Sequence, residues 1–166
     1  QHVKWGFFMG DLSTSPDGSR QHAHLGSFAA GDRLTIEEGL SVTNPVVTYS
    51  GHAVGNVSNG GSVYTSVGTY SDVFDFGTRS GSVTMDFDGR TWTGTSFGTS
   101  NLQAYTSDLT SEGGFTGNAS GRFIAPLVDT GPGLSPAGVV GAFGLQNGSN
   151  APGSAYRATG TFAVEQ

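Results

Sequence analysis

The sequence contains no cysteine. That excludes disulfides, thiolate metal sites and a cysteine nucleophile, and leaves burial and hydrogen bonding to hold the fold. Charge is scarce, and basic charge scarcer: seven Lys and Arg stand against thirteen Asp and Glu, for a net charge of −6. A chain this acidic lacks the basic surface that nucleic acid or an anionic membrane requires. No apolar run approaches the roughly 20 residues of a membrane-spanning helix. Helical periodicity is missing as well; no window longer than about ten residues sustains it. Without helices there is no phosphate-binding glycine loop leading into one. There is no G-x-S-x-G elbow either, and no pair of carboxylates is singled out by spacing. The sequence therefore nominates no catalytic residue, and the expected activity is not enzymatic.

What is abundant is glycine, 28 residues of 166, with aromatics at 11%. That aromatic content argues against disorder. Apolar and polar residues alternate along most of the chain, the period of a half-buried strand. The segments are Val3–Leu12, His22–Ala30, Val46–Val57, Val63–Phe76, Ser82–Phe87, Arg90–Phe97, Leu102–Leu109, Phe115–Ala125, Val139–Leu145 and Tyr156–Val164. Asp88-Gly89 between two of them is a strong hairpin signal, and Asn59-Gly60-Gly61 is a turn needing positive φ. Arg33–Pro45 is the longest irregular stretch. Glycine followed two residues later by an aromatic recurs at Gly6/Phe8, Gly26/Phe28, Gly68/Tyr70, Gly121/Phe123, Gly141/Phe143 and Gly160/Phe162. Residues two apart share a strand face. A glycine beside a ring permits sharp curvature and lets a neighbouring ring lie over bare backbone, as small coiled barrels need. The expectation is an all-β single domain over residues 1–166, a small antiparallel β-barrel of eight to ten strands.

These strand patterns resemble a known group. The residues that carry the likeness are Tyr49-Ser50-Gly51, Gly68-Thr69-Tyr70, FDFGTRSGSVTMDFDGRTWTG, Gly121-Arg122-Phe123, the 126–136 loop, VVGAFGL and RATGTFAV. Together they look like the β-barrel domain of the transferrin-binding-protein-B type. KWGFFMGD and HLGSFAAG look like the variant found behind FecR domains. The resemblance implies an eight-stranded antiparallel barrel, with room for an extra hairpin or a short lead-in strand. It implies a non-enzymatic bacterial protein working outside the inner membrane, at the cell surface or in the periplasm. Some members bind host proteins through loops, and some carry haem. Gln1 opens on strand-like sequence, so the chain is expected to be a mature or excised domain, with any leader or lipid anchor upstream. An outer-membrane barrel is the competing architecture. The Glu-Gln end, without a terminal aromatic, and the Ser- and Thr-rich outer faces favour the barrel that does not span a membrane.

Three chemistries are weighed on residue type. His22 and His24 share a strand face, and with His52, or His2, they are the candidate ligands for haem iron or a metal. His52 alternates with Ser50 and Val54, while Tyr49, Gly51, Ala53 and Gly55 form the other, core-like face. His52 is thus expected on the outer side of a barrel wall. Asp86, Asp88 and Gly89 begin like a calcium loop, but the later ligands are absent and the hairpin accounts for them. Glu37-Glu38 and Asp72/Asp75 are read as solvated. Trp5, Phe7 and Met9 alternate on one face of the first strand, with Phe8 opposite, so that strand should be covered on both sides. The cover is either another part of the chain or a second subunit, which makes these three the candidate interface. The leading function is a module that binds a protein partner through loops at the barrel rim. The alternatives are a subunit that self-associates into a surface assembly or filament, and haem or metal capture.

Overall fold

In a computed structural model of the chain, residues 3–7, 10–13, 20–23, 26–32, 46–125, 135–147 and 155–166 are described, those at 3, 7, 10–13 and 20–23 as backbone. The described residues form strands joined by turns, with no helix among them. In chain order the strands are β1 (Val3–Phe7), β2 (Gly10–Ser13), β3 (Arg20–Ala23), β4 (Ser27–Gly31), β5 (Val46–Asn59), β6 (Ser62–Asp75), β7 (Ser80–Phe87), β8 (Arg90–Gly98), β9 (Ala104–Ser111), β10 (Phe115–Ile124), β11 (Gly138–Asn147) and β12 (Tyr156–Glu165). Strands β5 to β12 run up and down in sequence order and close into a barrel through antiparallel pairing of β12 with β5. Closure removes every free edge from the barrel wall.

The barrel is solid inside. One face of each strand contributes to a single core that includes Tyr49, Tyr70, Phe74, Phe87, Trp92, Tyr105, Phe123 and Phe162. The glycine–aromatic spacing shows how that core closes. On β11 and β12, Gly141 is paired with Phe162 and Phe143 with Gly160, so each ring meets the other strand's glycine. A Cβ on Gly141 or Gly160 would run into that opposing ring and into backbone. The Phe162 ring then stacks on Tyr70, with centroids 3.9 Å apart and planes 4° from parallel.

The first two predicted segments need correction. Val3–Leu12 and His22–Ala30 do not supply barrel strands. Each is divided in two, and they pair with one another as β1–β4 and β2–β3. Two residues separate β1 from β2 and three separate β3 from β4, so the register slips by one between the two ladders. The β1–β4 ribbon lies outside the barrel against β11 and β12. Its Ala29 packs with Val140 on a small external cluster formed by Ile124 and Ala163. Its end is tied down where the Ala125 amide donates to the Asp32 carbonyl (2.8 Å). This is the extra hairpin that the resemblance left room for. The Arg33–Pro45 stretch, with Glu37 and Glu38, lies outside the described residues.

Candidate functional site

Short hairpins set one rim of the barrel. The β5–β6 turn uses Gly60 and Gly61, the β7–β8 turn Asp88 and Gly89, and the β9–β10 turn Gly113 and Gly114, and all six have positive φ. Asp88, with φ 53°, is the one non-glycine among them. Asp and Asn tolerate that region better than most side chains. Its carboxylate is held: Tyr64 Oη, from the start of β6, donates to Asp88 Oδ2 at 3.0 Å.

Four hairpins bring aromatic rings together beneath this turn. Trp92 on β8, Phe115 at the start of β10 and Tyr156 at the start of β12 touch in pairs, with centroids 5.6 to 6.3 Å apart. Arg90, the first residue of β8, lays its guanidinium over the Phe115 ring, 3.7 Å from the centroid, and 5.9 Å from that of Tyr156. Trp92 and Tyr156 are buried, whereas Tyr64, Asp88, Arg90 and Phe115 are half-buried. Burial, with Asp88 beside it, pushes the Tyr156 hydroxyl well above the usual phenol range. That hydroxyl completes no hydrogen bond of ordinary geometry, and neither does Trp92 Nε1. Asp86 and Glu112 bring further carboxylates to the same end, Asp86 bonded to Thr91 Oγ1 at 2.6 Å.

The other rim is closed. Phe74, Phe76 and Phe123 pack edge to face or tilted, with centroids about 5 Å apart. Tyr49 Oη and Gln166 Nε2 both donate to the Pro136 carbonyl. Below that plug lies the one carboxylate inside the barrel among the described residues. Asp72 is fully buried, not solvated as its residue type suggests. Tyr70, Asp72 and Phe74 share strand parity, and that parity was the available signal. Ser96 Oγ donates to Asp72 Oδ1 at 3.0 Å, reaching across β7 where Gly81 has no side chain. Burial raises the Asp72 carboxyl from 3.8 to about 7, against the smaller lowering effect of Ser96. Asp75 is half-buried by contrast, and accepts the Gly77 and Thr78 amides.

Of the candidate histidines, His52 is where alternation placed it, on the outer wall. The Trp5 ring lies on it, with centroids 5.7 Å apart and planes tilted by 36°. His22 is in β3 opposite Asp11, its side chain not described, and His2 and His24 lie outside the described residues. No group of three or more His, Asp or Glu among the described residues is close enough to hold a metal. Trp5 thus meets its own barrel. Phe7 is in β1 opposite Ser27, and Met9 lies outside the described residues. Sequence reasoning missed the rim cluster because its members come from four separate hairpins.

No protein-family model matches the sequence, and no curated protein is similar to it at a significant level. Solved structures are similar in fold. Transferrin Binding Protein B of Haemophilus parasuis Hp5, a vaccine antigen, aligns in a double-alanine mutant over 99% of this chain, with 14% identity and a TM-score of 0.64. A single-alanine mutant of it aligns over the whole chain at 17% identity and 0.57. Intact Ap-TbpB, with N and C lobes, aligns over 99% at 14% identity and 0.58. The chain spans about a third of each of those proteins, 32 to 34% of their length. The barrel expected from the sequence is therefore the fold that this chain shares with Transferrin Binding Protein B.

Proposed function

We propose that the chain is a non-enzymatic binding module of a bacterial cell-surface protein, with the periplasm as the alternative location, and that it holds a protein partner at the hairpin rim. The observation that carries this reading is the rim itself: ionic and aromatic side chains stand half-buried on tight turns, above an interior already filled by rings. A filled barrel leaves its loops and outer surface for recognition. The outer wall from β7 to β10 is mostly threonine, serine, aspartate and asparagine, which supports a wall in contact with water rather than lipid. The structural relatives are transferrin-binding proteins by name, and transferrin is one partner to try. The test is site-specific photo-cross-linking in the producing bacterium. Cross-linkers at positions 89 and 113, on the rim, are expected to capture the same partner, while one at position 95, on the outer wall, captures none. Capture at 95 with silence at 89 and 113 would contradict the proposal.

Self-association is the second reading, favoured by one observation. On the outer ribbon Trp5 and Phe28 remain 40% and 48% exposed. A second copy's apolar surface would cover them.

A further inference from the structure

The aromatic rim also has the makings of a receptor, and the chain itself supplies an occupant. A cation is attracted to the face of an aromatic ring, more strongly where water is partly excluded. At this rim the Phe115 face receives a guanidinium at stacking distance, with the Tyr156 ring farther off at 5.9 Å, and the guanidinium is the chain's own Arg90. Asp88, on the same turn, supplies negative charge and is fixed in place by Tyr64. We propose that this cluster is a guanidinium-binding site held closed by Arg90, and that a partner's arginine side chain displaces Arg90 from the Phe115 face.

Three observations favour an arginine from outside. The rim's carboxylates, Asp86, Asp88 and Glu112, outnumber its arginines, Arg90 and Arg157, in a chain of net charge −6. Arg90 is half-buried at the first position of its strand, just after the Asp88-Gly89 turn, so its side chain can swing to water without opening the barrel. The Tyr156 hydroxyl is buried and lies beside the Asp88 carboxylate, without closing a hydrogen bond of ordinary geometry. An incoming guanidinium cannot accept from that hydroxyl, but as a five-donor fork it can donate to it and to Asp88 together. Arg90 enters from its own strand and is restricted in how it approaches; a partner's side chain arriving from above the rim is not. The self-occupied state lowers the apparent affinity for any competitor by the fraction of time the site is open.

This inference rests on the rim as the recognition surface, but its test needs no partner. Methylguanidinium is titrated into the intact chain while the ring resonances of Phe115, Tyr156 and Tyr64 are followed by NMR. Arg90→Ala should bind the probe at least about tenfold more tightly than the wild type, the gain expected when an internal competitor is removed. Arg90→Ala combined with Asp88→Asn should lose most of that gain. A folded Arg90→Ala protein whose ring resonances do not move would overturn the inference. Should Arg90→Ala not fold, wild type and Asp88→Asn are compared directly at high probe concentration. A weaker response in Asp88→Asn is expected, and equal responses would overturn the inference. Cross-linking at positions 89 and 113 reads the partner separately, so a guanidinium site without a cross-linked partner sinks only the functional reading.

Discussion

Asp72 and Gly81 show how single residues carry this fold. The Asp72 carboxyl is buried among Tyr49, Tyr70 and Tyr105, with Ser96 as its one hydrogen-bond donor among the described residues. Its folded-state pKa of about 7 lies above the unfolded 3.8, so the folded protein binds the extra proton. Stability should then be greatest at the acid end of that window and fall as pH rises from about 4 to about 7, after which the cost is complete. At about 1.4 kcal/mol per pKa unit the loss is up to about 4 kcal/mol. Urea unfolding of wild type against Asp72→Asn at pH 5 and pH 8 measures it. The variant should remove the slope and gain stability at pH 8, whereas parallel pH profiles would refute the buried ionisation. Gly81 makes the second residue-level prediction. A Cβ there would stand 2.6 Å from Ser96 Oγ and 2.7 Å from Asp72 Oδ1, in the middle of their hydrogen bond. Gly81→Ala should destabilise by about 1–3 kcal/mol, the usual cost of overpacking, measured by the same unfolding experiment.

At the scale of elements, the ribbon and the barrel should come apart before either is lost. The β1–β4 ribbon is held by the Trp5 ring on His52, by Ala29 against Ile124 and Ala163, and by one backbone bond to Ala125. Trp5→Ala should therefore raise amide exchange over residues 3–7 and 27–31 while leaving β5 to β12 protected, as expected for a weakly attached cooperative unit. Uniform loss of protection would mean that the ribbon is part of the barrel's core after all. The same elements show what the sequence could and could not tell. Strands β5 to β12 were legible within a few residues, because alternation and the Asp-Gly and Asn-Gly-Gly turns mark them. The ribbon was misassigned because alternation reports that one face is buried, not which sheet the strand joins. Trp5 covers an outer wall, and its period is the same as that of a residue lining an inner one. The rim was half legible. Asp88-Gly89 was read correctly as a turn, but the meeting of Arg90 with Phe115 and Tyr156 depends on the register of a closed barrel, and spacing along the chain does not encode it.

For the whole molecule, closure decides the mode of action. A barrel sealed by β12 on β5, packed inside with rings and plugged at one end by Phe74, Phe76 and Phe123, leaves no free wall edge for strand addition. Its large apolar residues on the outside are scattered, as with Val63, Val67, Val73 and Phe97. On the proposed reading such a particle acts alone, with the rim as its working surface and the ribbon as its own cover. The self-assembling alternative needs the exposed Trp5 and Phe28 to be shared between copies. The measurement that separates the two most directly is the native mass by light scattering, without detergent, over a hundredfold range of concentration. A barrel that acts alone keeps a constant mass near 17.0 kDa, unchanged in Trp5→Ser. A mass that grows with concentration, and returns to that of one chain in Trp5→Ser, would contradict it and make the ribbon an interface between copies.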